Sequence, residues 1–338
     1  MTNHVTRRWP YVALVVLQTV IFGSGNAITK MAYDSITPLW CLAIRFGLAV
    51  VVFGLILGPR IVRQVRSVRM RVWIPAAVCM AFAYLTCNVA LDLTTATNVG
   101  FLVALPVVFA PLLSSVVNRR RYPLTFVPFQ IAVVAGLYLL CNNGGALTFG
   151  PGEALALLSS AALAGALVFG ERGLAELDAV AVAGTQIGMS FVVALVCALA
   201  FEPPIDVAAV QPLAWGTVAF LALVSTCLTF LLQNLALTAL PPSMVSLLLT
   251  GEPVFTAVFS FALLGEVLSV AGFAGAVVIV CAVMAATYVE GRRASGASAS
   301  VGLDVAGSAA SVRAAALGPE ASRVAVPDQL ELARDNAA

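Results

Sequence analysis

Residues Ser243–Leu264 read "SMVSLLLTGEPVFTAVFSFALL", an apolar run whose one charge, Glu252, stands beside a helix-breaking proline, Pro253. A helix needs roughly 20 such residues to cross about 30 Å of hydrocarbon at 1.5 Å per residue, so the run reads as a membrane span. Glu252 lies about nine residues in, roughly 14 Å deep and close to the midplane. Placing a charge there costs about 2.5 to 3.5 kcal/mol on insertion scales, and the carboxyl is therefore expected to face protein or a watery cavity. Pro253 brings no amide hydrogen and leaves the Leu249 carbonyl without its intrahelical partner. The pair marks a polar, distortable point in mid-span.

The rest of the chain has the same character. Hydrophobic residues make up 61% of the 338 and charged residues 10%, against about 25% charged in a soluble domain. The fold class expected is an all-α polytopic membrane protein. Ten spans are expected: Tyr11–Met31, Ile36–Leu57, Val72–Leu91, Asn98–Val117, Leu124–Cys141, Ala154–Gly170, Ala179–Ala200, Leu213–Leu237, Ser243–Leu264 and Leu268–Tyr288. With a cytoplasmic N-terminus, Arg7, Arg8, the five arginines of an Arg60–Arg71 loop, Arg119 to Arg121, Arg172, Arg292 and Arg293 all fall on one side. The opposite connections hold no Arg or Lys unless Lys30 is counted. The positive-inside rule then places both termini in the cytoplasm, with the first span an uncleaved signal anchor. Residues 1–10 form a short cytoplasmic N-terminus, and the Ala, Ser and Gly-rich stretch 291–338 a disordered cytoplasmic tail.

The chain also resembles itself. "NVALDLTTATNVGFLVALPVVF" (Asn88–Phe109) aligns with "NLALTALPPSMVSLLLTGEPVF" (Asn234–Phe255) at an offset of 146, rising to 147 after one inserted residue. Asn88 meets Asn234 and Pro106 meets Pro253. Spans 1 to 5 thus correspond to spans 6 to 10. Five is odd, so the second copy enters the bilayer from the opposite side. The expected architecture is two inverted five-helix repeats around a central cavity, a plan shared by many secondary transporters.

Several polar residues fall inside spans. Arg45 is at a depth similar to Glu252, and a buried Arg needs an acceptor; Glu252 is the only carboxylate near the middle of any span. The Glu252 carboxyl is also the natural bearer of proton coupling, the alternative being a structural ion pair with Arg45. Asn88, Gln233 and Asn234 offer amides either to a polar ligand or to neighbouring helices. Ser24 and Asn26, beside Gly23 and Gly25, either line a cavity or permit close packing. Tyr84, Phe101 and Phe230 either wall a cavity or pack in the core. Pro106 and Pro111 free the carbonyls of Leu102 and Val107, which protein or water must satisfy. Lys30 and Asp34, four residues apart, suit a surface pair.

Composition limits the function. A net charge of +2 gives no reason to expect a nucleic-acid partner, and with His4 the one histidine no metal site or histidine-based catalysis is expected. The seven cysteines, Cys41, Cys79, Cys87, Cys141, Cys197, Cys227 and Cys281, form no C-x-x-C pair and read as small hydrophobes. There is no nucleophile elbow and no phosphate-cradling loop, so neither an enzyme, a cofactor nor an ATP-driven pump is expected. A carrier is favoured, and a passive channel or facilitator is the rival. The partners expected are a small solute, the bilayer and a coupling proton, for a monomer or homodimer in the plasma membrane.

"IFGSGNAITK" (Ile21–Lys30), "LAIRFGLAVVVF" (Leu42–Phe53), "LLQNLAL" (Leu231–Leu237) and "GEPVFTAVFSFALLGEVLSVAGFAGAVVIV" (Gly251–Val280) resemble, in order and spacing, the EamA-type ten-helix exporters of the drug/metabolite transporter superfamily. The resemblance covers about residues 10 to 289 and divides them into EamA-like repeats at 11–141 and 152–288. It implies a basket of helices, alternating access between two halves, and efflux of amino acids, metabolites or small toxic compounds. The chain departs from the family at the turn "RRRY" (Arg119–Tyr122), where the second copy has "GEVL" (Gly265–Leu268).

Overall fold

A computed structural model describes residues 9–33, 35–94, 96–119, 124–141, 150–264, 269–286 and 288–289, with backbone alone at residues 26, 27, 30, 31, 96–98, 101, 140, 141, 257 and 260–264. The Lys30–Asp34 pair, the turns Arg120–Tyr122 and Gly265–Leu268, the termini and the side chains of Asn26 and Phe101 lie outside the described residues. The described helices belong to one compact unit, Arg7–Thr287.

Every regular element among the described residues is helical, as a backbone in hydrocarbon requires, since a helix satisfies its own amides and carbonyls. In chain order they are α1 (Trp9–Tyr33), α2 (Pro38–Ser67), α3 (Met70–Leu93), α4 (Ala96–Val103), α5 (Pro106–Val117), α6 (Val127–Cys141), α7 (Pro151–Gly173) and α8 (Ala179–Phe201). α9 (Pro212–Ala222) passes through a π-helical turn, Leu223–Leu228, into α10 (Thr229–Leu237). α11 (Pro242–Leu249) and α12 (Glu252–Leu264) follow, then α13 (Val270–Ala286). Prolines open α2, α5, α7, α9 and α11, where the missing amide hydrogen has no partner to lose.

By length and composition, α2, α3, α7, α8 and the α9–α10 unit can each cross a membrane. The expected spans 4 and 9 each come in two shorter pieces, α4–α5 and α11–α12. The basic stretch expected as a loop differs from the reading above, because α2 continues through Pro59 to Ser67. Arg60, Arg63 and Arg66 stand exposed on that extension, and arginine is a good helix former once its head is in water.

α2 and α8 run side by side and are tied at both ends by carboxylates. At one end the Asp178 Oδ1 caps α8 by accepting from the Ala181 amide (2.8 Å). Its Oδ2 accepts from Arg60 Nε (2.6 Å) and Gln64 Nε2 (2.7 Å) on α2. Gln64 Oε1 in turn accepts from the Asp178 amide (3.0 Å). At the other end Glu202, just past α8, accepts from the Thr37 hydroxyl (2.5 Å) and from the Leu39 and Trp40 amides (3.0 and 2.9 Å) in the first turn of α2.

Elsewhere α3 lies along α7, α1 lies along α9, α10 and α12, and α5 packs on both α7 and α11. The α1–α12 approach depends on Gly23, where a Cβ would meet Phe255 Cβ at 2.6 Å and the Thr256 amide nitrogen at 2.9 Å. Gly136 does the same on α6, where a Cβ would fall 2.8 Å from Ile279 and 2.9 Å from the Gly275 carbonyl oxygen of α13.

Burial would raise the Asp178 pKa, but the Ala181 amide, Gln64 and Arg60 outweigh it and hold the carboxyl below its ordinary value. A lowered carboxyl pKa gives stability that is fully present above the unfolded value and is lost as pH falls through the folded one. Detergent-solubilised protein should therefore lose thermal stability on acidification below about pH 4, and Asp178→Asn should flatten that acid limb. Asp178→Ala should also cost about 1 kcal/mol at neutral pH through the lost helix cap.

Candidate solute cavity

The two broken spans fail at corresponding places. α4 ends at Val103 and α5 opens at Pro106; α11 ends at Leu249 and α12 opens at Glu252 and Pro253. The sequence puts the interruption at Glu252–Pro253, whereas the helix actually turns at Thr250–Gly251. The reason is that proline tolerates a helix's first turn and not its interior, so the break moves upstream of it. Carbonyls freed by these breaks find partners. Leu102 accepts from the Leu105 amide (3.2 Å), and Leu248 from the Gly251 amide (3.1 Å). Val107, freed by Pro111, accepts from Gln130 Nε2 of α6 (2.7 Å). Pro106, Pro111 and Pro253 are all buried.

Between these breaks lies a cavity with about 80 Å³ open to the centres of water-sized molecules. A single water needs roughly 10–15 Å³ on that measure, so the space admits several waters or a small solute. Its polar wall comprises Arg45, Asn88, Gln233, Glu252, Ser159 and Ser225, and its apolar wall includes Phe22, Met80, Tyr84 and Phe230. The lining residues come from the C-terminal parts of α1 and α3, the first half of α2, the middle turns of α7, the end of α4, the π-helical turn, α10 and the start of α12. Glu252 sits in the first turn of α12, where the helix presents the positive end of its dipole. Below the cavity the bundle is filled: Val15, Val107, Leu237, Leu240, Met244, Leu247 and Leu248 are buried in one apolar cluster.

Arg45, 6% exposed, joins α2 to the π-helical turn. Its Nε donates to Thr226 Oγ1 (2.7 Å), and its Nη2 donates to the Ser225 carbonyl (3.0 Å) and Oγ (3.3 Å). Thr226 passes its own hydroxyl hydrogen to the Leu221 carbonyl (2.9 Å), five residues back. The guanidinium also lies over the Tyr84 ring, 5.2 Å from its centroid. Single π turns often mark functional sites, because they widen the helix and expose a carbonyl. The expectation named Glu252 as the candidate structural partner for Arg45; both groups line this cavity, and the guanidinium is held by Thr226 and Ser225.

Two residues that the sequence aligns make the same local bond. Asn88 Nδ2 and Asn234 Nδ2 each donate to the carbonyl four residues back, of Tyr84 and Phe230, both at 2.8 Å. Tyr84 and Phe230, again 146 apart, meet in the cavity wall with centroids 5.5 Å apart. Asn88 Oδ1 further accepts from the Tyr33 hydroxyl (2.6 Å), and Gln233 Oε1 accepts from Gln18 Nε2 (2.9 Å).

Not every expected residue reaches the cavity. Asn234 is turned away and donates to Gln186 Oε1 (2.8 Å), since neighbouring helix positions point about 100° apart. Ser24 is outside the lining, its hydroxyl bonded back to the Ile21 carbonyl (2.8 Å). Ser159, Ser225 and Thr226 carry no signal in the sequence, because lone hydroxyls in an apolar run form no distinguishing pattern. Glu153 lies one residue outside the expected span Ala154–Gly170. It is 5% exposed and accepts from the Thr94 hydroxyl and the Gly150 amide, joining the end of α3 to the start of α7.

Apolar helices of membrane length around a cavity whose mainly apolar wall carries Arg45 and Glu252 fit a multi-pass membrane transporter. The EamA-like transporter family model matches residues 9–142 and 150–288, and the chain belongs to that family, within the drug/metabolite transporter superfamily. An uncharacterized transporter of Archaeoglobus fulgidus is 26% identical over 275 residues, covering 80% of this chain and 83% of its own. A protein of known crystal structure matches with a TM-score of 0.71 over 83% of this chain and 98% of its own, at 19% identity. That likeness concerns the fold.

Thr226→Val keeps shape and removes both the Arg45 acceptor and the bond to Leu221. The expected cost is about 1–3 kcal/mol of stability for the stranded buried donor, read by thermal unfolding in detergent. Thr226→Ser should restore most of it.

Proposed function

We propose that this protein is a secondary active exporter of a small solute, working by alternating access between two inverted five-helix repeats at residues 11–141 and 152–288. Ten spans with both termini cytoplasmic fit the arginine distribution, and the plasma membrane is the site of action.

The observation that carries this reading is the cavity at the seam between matched breaks, α4–α5 and α11–α12. The packing supports the repeat. Span 3 against span 6 (α3 on α7) mirrors span 8 against span 1 (α9–α10 on α1), and span 2 meets span 7 (α2 on α8) as span 4 meets span 9 (α5 on α11). In the proposed orientation the filled half faces the cytoplasm, so the form described is outward-facing. A permanently open pore would need no such seal, which favours a carrier over a channel.

Glu252 is the proposed coupling group. Its counterpart at the offset of 147 is Leu105, so the acid stands in one repeat only, beside the fixed charge of Arg45 in the cavity wall. A carboxyl that binds a proton in one state and releases it in the other converts a pH gradient into solute flux. Arg45, Asn88, Gln233 and Tyr84 form the solute-facing wall in this proposal, and Pro106, Pro111 and Pro253 keep the broken spans bendable.

Proteoliposomes assayed against a panel of amino acids, nucleosides and lipophilic cations, with and without an imposed pH gradient, test this directly. The wild type should accumulate at least one of them saturably in response to the gradient, and Glu252→Gln should lose that response. Full gradient-driven transport by Glu252→Gln contradicts the assignment.

A further inference from the structure

One group of buried polar atoms lies outside the cavity wall. Gln186 on α8 and Asn234 on α10 are both fully buried and share a single hydrogen bond, Asn234 Nδ2 to Gln186 Oε1 at 2.8 Å. The other ends of the two amides, Gln186 Nε2 and Asn234 Oδ1, are buried with no hydrogen-bond partner in the protein. One is a donor and the other an acceptor.

Both border the same point. On α7, Gly170 has no Cβ, and the place a Cβ would take lies 3.7 Å from Asn234 Oδ1, 3.9 Å from Gln186 Nε2 and 3.4 Å from Leu237 Cδ1. A methyl would fit there at ordinary van der Waals distance, so crowding does not require glycine. What glycine leaves is a notch faced by one unpaired donor and one unpaired acceptor, walled by the Leu237 methyl.

We propose that this notch between α7, α8 and α10 is a binding site for a group that donates one hydrogen bond and accepts another, a water molecule or a hydroxyl or amide of the transported solute. The occupant donates to Asn234 Oδ1 and accepts from Gln186 Nε2, completing both amides. Asn234 is next in sequence to Gln233, which lines the cavity and pairs with Gln18. The site therefore sits on the face of α10 about 100° round from the one that lines the cavity, joined to it through one peptide unit. That the occupant comes from the solute rests on the transport reading above; that the site binds such a group does not.

Gly170→Ala and Gly170→Ser distinguish a wet notch from a dry one. Alanine fills it without pairing either amide, whereas the serine hydroxyl supplies both missing bonds. In purified full-length protein Gly170→Ser should have the higher Tm, and its advantage should disappear in a Gln186→Leu, Asn234→Leu background. A Gly170→Ala protein as stable as Gly170→Ser, or a serine advantage that survives removal of the amides, overturns the proposal. Radiolytic hydroxyl footprinting of solute-free protein separates the two sources. Oxidation of the buried Leu237 in wild type, suppressed in Gly170→Ser, identifies water; protection of Leu237 in both, with the serine advantage intact, assigns the site to a solute group.

Discussion

A carbonyl released from its helix inside hydrocarbon must be answered by another protein group or by water, and most of this structure follows from that requirement. The chain breaks or distorts its helices between α4 and α5, at Pro111, in the π-helical turn and between α11 and α12, and protein donors meet the exposed oxygens. Gln130 meets Val107 behind Pro111. Backbone amides across the two breaks meet Leu102 and Leu248. Arg45 meets Ser225 in the π-helical turn. The bonds at Val107 and Ser225 tie a span to a neighbour, those at Leu102 and Leu248 close turns within a span, and the cavity is lined by residues beside both breaks.

The same arrangement separates what is fixed from what can bend. α2 and α8 are joined at both ends through Asp178 and Glu202, and α1 is pressed onto α12 by the absent side chain of Gly23. The half-helices α4, α5, α11 and α12 meet at turns rather than continuous ladders. Such turns absorb backbone rotation without unmaking a full helical turn of hydrogen bonds, as hinges do. The apolar cluster around Leu240, Met244 and Leu248 closes the end nearest those turns, so the seal and the bend belong to the same segments.

Much of this was legible in the sequence because it depended on local chemistry. Pro106 and Pro253 announced the breaks, Glu252 announced a polar environment, and the Asn88 and Asn234 segments announced the repeat. What stayed hidden depended on distant partners or on register. No spacing signals that Arg45 would reach Thr226 and Ser225, because the π turn that presents them shifts α10 relative to α9. Asn234 reads in the sequence as either a ligand amide or a helix-to-helix bond, and only its register, one step from Gln233, turns it towards Gln186. The Arg60–Arg66 stretch read as a loop because charge was taken to end the span, although charge ends the hydrocarbon and leaves the helix free to continue.

The proposed alternating access requires the packed end to open when the cavity closes. Spin labels at Arg119 and Thr238, exposed positions beyond α5 and α10 at that end, would report it through pulsed electron resonance distances in lipid nanodiscs at two pH values. Two distance populations are expected, with a ratio that moves with pH in the wild type and stays fixed in Glu252→Gln. A single distance, unchanged by pH in a protein that transports under the same conditions, would contradict that mechanism.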